Sequence, residues 1–173
     1  MSGLPLEGIR VLEFTHAVMG PSCGLLLADL GAEVIHIEPP HGDSTRRLKG
    51  FGTGYFPFYN RNKSSLPLNL KTEAGRKAIH ALVKTADVVV ENFGPGTMER
   101  LGYGYGALRE YNEKLIYCSL KGFLSGPYEK RTAMDEVVQM MGGMAYMTGP
   151  VGQPLRAGAS VIDVSGGMFG AMG

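Results

Sequence analysis

The chain has 173 residues, a formal charge of +1 and an apolar share of 44%. That length carries one domain with a sizeable core, and the composition is that of a soluble globular protein. Near-neutrality argues against nucleic acid or an anionic membrane surface as a general partner, and no uninterrupted apolar run is long enough to span a bilayer.

Residues 9–14 (IRVLEF) are largely apolar and rich in strand formers, and predict a buried first strand. A loop of residues 15–21 follows, and Pro21 suits the first turn of a helix. Leu25, Leu26, Leu27, Ala28 and Leu30 carry that helix, and Gly31 closes it as a left-handed cap. Residues 33–38 (EVIHIE) predict a second strand, so the opening unit is strand, helix, strand with a parallel crossover. Residues 39–54 are polar, basic and turn-rich. They read as a mobile surface loop with Arg46, Arg47 and Lys49 available to an anionic ligand. The aromatic run 55–59 (YFPFY) suits a core, an interface or a pocket wall. Residues 64–70 alternate like a strand, and Pro67 argues for an edge or irregular one.

Thr72 is expected to cap the next helix, with its apolar face on Ala74, Ala78, Ile79, Leu82 and Val83 and with His80 exposed. Residues 87–91 (DVVVE) are the clearest buried strand, followed by a tight turn at 92–96. Short helices at 97–101 and 107–112 lead to a strand at 115–120. Residues 135–147 predict one methionine-rich helix, with Asp135 and Glu136 at its positive end and the methionines in the core, the favoured reading, or on a flexible binding surface. Strands alternate with helices, so the class is α/β with a Rossmann-like, mostly parallel sheet flanked by helices. Such sheets bind ligands outside the carboxyl ends of their strands. Neither a Gly-x-Gly-x-x-Gly turn after the first strand nor a Gly-Lys-Ser/Thr loop occurs, which removes the main support for dinucleotide or nucleoside-triphosphate binding.

Cys23 and Cys118 lack metal-type or redox-type spacing and read as reduced thiols. His16, His36, His41 and His80 make no ligand pair at helical spacing, so no metal is expected. The N-terminus lacks the basic and then apolar pattern of a secretion signal. The cytoplasm is the expected compartment, with mitochondrion and peroxisome as open alternatives.

The stretch around Asp163 stands out. A carboxylate ends a short apolar run and opens a segment containing Gly166, Gly167 and Gly170. Asp163 reads either as an ordinary N-cap or as a nucleophile or base at a helix mouth, where backbone donors point outward. The chain stops soon afterwards, at Gly173, which suggests a portion of a larger unit.

Several motifs resemble, in order, the family III CoA-transferases of the formyl-CoA and carnitine CoA-transferase type. They are Leu6-Glu-Gly-Ile-Arg-Val-Leu-Glu-Phe-Thr15, Gly20-Pro21, Leu30-Gly-Ala-Glu-Val-Ile-His-Ile-Glu38, and Gly42-Asp43 with Arg46. Asn60-x-Asn62-Lys63, Asp87-Val-Val-Val-Glu-Asn-Phe-Gly-Pro-Gly96, Arg100-Leu-Gly102 and the stretch from Gly158 to Asp163 complete the set. The resemblance covers essentially the whole chain. It implies that residues 1–173 are the N-terminal portion of the large CoA-binding domain, without the small domain and C-terminal part. It also implies a full-length protein that forms an interlocked homodimer.

The resemblance further implies that Asp163 is a nucleophile that attacks the thioester of an acyl-CoA donor. An aspartyl mixed anhydride and then an aspartyl-CoA thioester follow, and a carboxylic acid acceptor takes over the CoA. Coenzyme A enters as substrate, with no metal. By position, the resemblance assigns CoA contacts to His16, Ala17, Val18, Leu68, Lys71, Asn92, Phe93, Gly94, Arg100 and Arg131. Three departures from the family's pattern stand out. Pro39 replaces a basic residue of some members. Val18 replaces a polar amide of the formyl-CoA type, which disfavours formyl or oxalyl transfer. Met134 stands where acyl-CoA racemases carry a histidine, which favours a transferase over the alternative of a racemase, because α-proton exchange needs a second acid/base. A non-catalytic CoA-binding fragment is the remaining alternative.

Overall fold

The computed structural model describes residues 3–173, apart from the side chain of Phe51; the first two residues of the stretch read for a leader lie outside the described residues. Five strands form one parallel sheet: β1 (Arg10–Phe14), β2 (Glu33–Glu38), β3 (Lys63–Pro67), β4 (Val88–Glu91) and β5 (Ile116–Ser119). Their spatial order is β3-β2-β1-β4-β5, so the chain winds outward from β1 in both directions. Val11 lies opposite Val34 on one side, and Phe14 lies opposite Glu91 on the other. The expected α/β class is therefore the observed one, and β3, which ends at Pro67, is an edge strand as its proline requires.

Successive residues of β1 point to opposite faces, and both faces are covered. Leu12 and Phe14 pack with Ile79, Val83, Val89, Met98 and Tyr103 on one side. That side is covered by α3 (Glu73–Val83), α4 (Thr97–Leu101) and α5 (Tyr105–Arg109). On the other side Val11 packs with Cys23, Leu27, Val34, Val90 and Leu120 beneath α1 (Met19–Asp29). The Thr72 hydroxyl caps α3 by accepting from the Gly75 amide at 3.1 Å, and Gly31 leaves α1 at φ +104°. Among the described residues no helix is long and apolar enough to cross a membrane.

Residues 39–54 are turn-rich, as expected. They form two 3-10 turns, Ser44–Arg47 and Gly50–Gly54, leading into the short helix α2 (Tyr55–Tyr59). Asp43 caps the first turn, accepting from the Thr45 amide at 2.6 Å. Three expectations are corrected. Arg46 is not available to a ligand, because its guanidinium donates to both oxygens of Glu38, at 2.8 and 2.6 Å, and lies 3.7 Å over the Phe56 ring. The single helix expected at 135–147 is two, α6 (Asp135–Met141) and α7 (Met144–Thr148). Gly143 separates them at φ +81°, which an L side chain rarely adopts. Their methionines are not core: Met140, Met141 and Met147 are exposed, and the buried side of the pair holds Asp135, Gln139 and Ala145.

The last helix, α8 (Val161–Met172), lies across α1. Contact is close because Gly167 has no side chain; a Cβ there would sit 2.6 Å from the Met19 carbonyl oxygen. That contact sets the mouth of α8 beside the start of α1, at the carboxyl edge of the sheet.

Candidate active site

A cleft of about 540 Å³ opens at the carboxyl ends of β1, β4 and β5. Its walls come from the loops after those strands, from Leu48, Lys49, Gly52 and Tyr55, from α6 and the segment that precedes it, and from the first turn of α8. Asp163 sits in that wall, half-buried. Burial pushes its carboxyl up from 3.8 to about 6, and the negative charges of Asp135 and Glu136 add to the shift.

Asp163 is not the N-cap that its sequence context suggested. Ser160 holds the cap position without a side-chain bond, and Asp163 is the third residue of the helix. Asp135 does the capping from another helix: its Oδ2 accepts from the Ile162 amide at 2.8 Å and from the Asp163 amide at 3.1 Å. Gln139, one turn further along α6, completes the clamp. Its Nε2 donates to Asp135 Oδ1 and to the Ala159 carbonyl, and its Oε1 accepts from the Ala157 amide at 2.7 Å. Both side chains are buried, so the mouth of α8 is fixed by satisfied polar groups. Capping by Asp135 leaves the Asp163 side chain available to the cleft.

The facing wall is also locked. The Asn92 side chain accepts from the His16 amide at 2.9 Å and donates to the His16 carbonyl at 3.0 Å, tying the β1 and β4 loops together. The His16 ring stacks on Phe93 at 5.8 Å. Ala17 sits at φ +61°, a left-handed conformation costly for alanine, which persists because that pair of bonds holds the loop. Glu91 orders the next turn. It accepts from the Phe93 amide at 2.9 Å, from the Ser119 hydroxyl and from Lys121 Nζ at 2.6 Å.

Of the residues assigned by resemblance, His16, Ala17, Val18, Asn92, Phe93, Gly94, Arg131 and Asp163 line this one cleft. Val18 contributes little area, being 3% exposed. Arg131 lies at the surface with its guanidinium 4.7 Å over the Tyr128 ring. Leu68, Lys71 and Arg100 are outside the lining. Leu68 follows β3 and packs against the core, Lys71 is exposed, and Arg100 donates to the Pro95 carbonyl at 3.3 Å and to the Thr97 hydroxyl at 2.8 Å. Pro95 does line the cleft, so Arg100 stands behind its rim.

Sequence reading missed a buried ionic network behind the cleft. Glu13, the next-to-last residue of β1, accepts from Lys63 Nζ at 2.9 Å and from the Thr15 hydroxyl at 2.8 Å, and contacts His36 Nδ1 at 3.3 Å. Lys63 also donates to the Pro21 carbonyl at 2.9 Å, and His36 Nε2 faces Asp43 at 3.8 Å. Burial opposes a charge on His36. The Asp43 and Glu13 carboxylates outweigh it and hold the imidazolium up to about 9. The sequence signals were ionisable side chains inside the first two strands, Glu13 and His36.

A doubly wound parallel sheet with a half-buried carboxylate at a helix mouth, above the carboxyl edge, defines an α/β domain built to bind a ligand at its switch point. Residues 6–173 match the model of CoA-transferase family III, and the chain belongs to that family. It is 44% identical to a formyl-CoA:oxalate CoA-transferase of Streptomyces coelicolor over 97% of this chain and 42% of that protein. It is 45% identical to an acetyl-CoA:oxalate CoA-transferase of Acetobacter aceti over 95% and 44% of the two chains. The crystal structure of a CAIB/BAIF family protein from Brucella suis superposes with a TM-score of 0.91 at 38% identity, covering 99% of this chain and 48% of that one. The chain thus spans less than half the length of the relatives it matches.

Proposed function

We propose that this chain is the N-terminal, CoA-binding portion of an enzyme that moves CoA from an acyl-CoA donor to a carboxylic acid, with Asp163 as the nucleophile. One observation carries the reading: a half-buried carboxylate, shifted toward neutrality, faces a cleft beside two locked loops at the carboxyl edge of the sheet. Family membership supports it independently.

The ionised Asp163 oxygen attacks the thioester carbonyl. The carbon–sulfur bond breaks, the CoA thiolate leaves, and an acyl–aspartyl anhydride remains. The thiolate then attacks the aspartyl carbonyl carbon, the anhydride carbon–oxygen bond breaks, and the donor acid departs. An aspartyl-CoA thioester is left. The acceptor carboxylate repeats both steps in reverse, leaving with CoA and returning Asp163 as a carboxylate. Desolvation raises the energy of that carboxylate and so its nucleophilicity. The Ile162, Asp163 and Phe93 amides are committed to Asp135 and Glu91, so the Gly94 amide is the candidate donor for the developing oxyanion. His16, Ala17, Asn92, Phe93, Gly94 and Arg131 would hold the carrier along the facing wall, and Lys71 and Arg100 would reach its phosphates from outside the rim.

The acid pair of the relatives, oxalate with a formyl or acetyl donor, is one substrate choice. A homodimer that completes the site is the matching assembly. Racemisation is the weaker alternative, because Met134, which lines the cleft, offers no second acid/base. The test is exchange of labelled acid into its acyl-CoA, measured on the protein with its complete reading frame. Asp163→Ala is expected to lower the exchange rate by about 10⁴-fold or more. An undiminished rate would remove Asp163 from the chemistry.

A further inference from the structure

A second cavity of about 350 Å³ adjoins the cleft, and the cleft's Met19, Leu120, Lys121, Phe123 and Glu129 also line it. Leu124 and Phe169 extend it, and the helix backbone at Gly166 and Gly170 forms part of its floor. Those glycines stand three and seven residues after Asp163, so all three share one face of α8. The Met19 side chain lines both the cleft that holds the carboxylate and this cavity. Its atoms lie 3.1–3.3 Å from where a Gly166 Cβ would sit. A methionine is the residue best suited to yield there, being unbranched and easily re-packed.

The charges favour an apolar occupant. The cavity's cation, Lys121, is held by Glu91 and by the Phe93 carbonyl, at 2.6 Å each. Its acid, Glu129, would repel a second carboxylate. Asp135 and Glu136 already crowd Asp163 with negative charge. A dicarboxylic acid would therefore find no uncommitted cation among the described residues of the second cavity, whereas an alkyl or aryl chain finds Leu120, Phe123, Leu124 and Phe169.

We infer that the second cavity is the acyl-tail subsite of the proposed transferase, and that its substrates are apolar monocarboxylic acids of several carbons, passing Met19 as a movable partition. The inference rests on Asp163 being the acylated residue. It departs from the formyl, acetyl and oxalate chemistry of the relatives' names.

The test uses self-exchange of labelled acid into its own acyl-CoA, which needs no knowledge of the natural acceptor, with hexanoate, formate and oxalate compared on the protein with its complete reading frame. Hexanoate is expected to exceed formate by about tenfold or more in kcat/KM, the discrimination that burial of even one methylene supplies. In Met19→Ile, a stiff branched side chain at the partition should lower the hexanoate-to-formate ratio by about tenfold; in Met19→Ala the ratio should hold or rise. Formate or oxalate exchanging faster than hexanoate in the unaltered protein overturns the inference and leaves the transferase reading intact. An unchanged ratio in Met19→Ile overturns the role of Met19 as partition. No exchange with any acid overturns the transferase reading and the inference together.

Discussion

Asp135 caps the helix that carries Asp163: the Asp135 carboxylate accepts from the Asp163 amide at 3.1 Å, across 28 residues of sequence. The same carboxylate contributes to the raised pKa of the Asp163 side chain. One group therefore sets both the position and the protonation of the proposed nucleophile.

Two substitutions separate those effects. Asp135→Asn retains an oxygen acceptor and removes the charge, so the acid limb of the exchange rate, expected near pH 6, should move to lower pH. Asp135→Ala removes the cap as well and leaves two amides without a partner, at a cost of about 0.5–2 kcal/mol. Displacing Asp163 by even an ångström is expected to lower the rate by about 10²-fold. The pH profile of exchange checks the first outcome and the rate at the plateau checks the second.

Asp163 itself should carry a stability penalty. Its carboxyl in the folded chain is raised to about 6 from 3.8, so the folded state binds this proton more tightly than the unfolded state. The penalty is absent below pH 3.8, grows as pH rises and is full above about 6. Asp163→Asn should therefore be more stable at pH 7. The gain is ~1 kcal/mol after discounting for solvent at a partly open site, or about 2–4 °C in Tm. It should shrink as the pH is lowered through 6. Thermal melts at several pH values measure it.

His36 works in the opposite sense. Its folded-state pKa is raised to about 9 from 6.5, so its stabilisation is full below pH 6.5 and is lost as pH rises through about 9. His36→Gln should remove that slope and lower stability near neutrality by about 1.5–3 kcal/mol, the range for bonds to charged groups. Asp43, its partner, caps the turn Ser44–Arg47. The variant should therefore also be cut faster by protease within residues 44–54.

Lys63→Met leaves Glu13 buried without its lysine, and should cost about 3–5 kcal/mol in denaturant unfolding. Adding Glu13→Gln should return most of that loss, because the double variant buries no unpaired charge. Equal losses in the single and double variants would show that the lysine acts by packing alone.

Features set by neighbours along the chain were legible in the sequence. The strand at 33–38, the Thr72 cap and the Gly31 helix end are written in residues a few positions apart, and the structure has them there. So was the general place of the cleft, because a parallel sheet presents its loops at one edge. What the sequence concealed depends on distant partners. The N-cap role belongs to Asp135 rather than Asp163 because a carboxylate 28 residues upstream reaches the same amides. Arg46 looked free because Glu38, at the end of a strand, gave no sign of being its acceptor. Glu13 finds Lys63 50 residues away, across two parallel pairings of the sheet. The break between α6 and α7 was signalled by Gly142-Gly143, which the helical periodicity around it obscured.

The most direct measurement is the site of covalent capture. The protein with its complete reading frame is incubated with acyl-CoA, trapped with hydroxylamine and digested, and the modified peptide is sequenced by mass spectrometry. A hydroxamate on Asp163, within residues 157–173, is the predicted result. A hydroxamate on another carboxylate, or steady turnover with Asp163 unmodified, would contradict it.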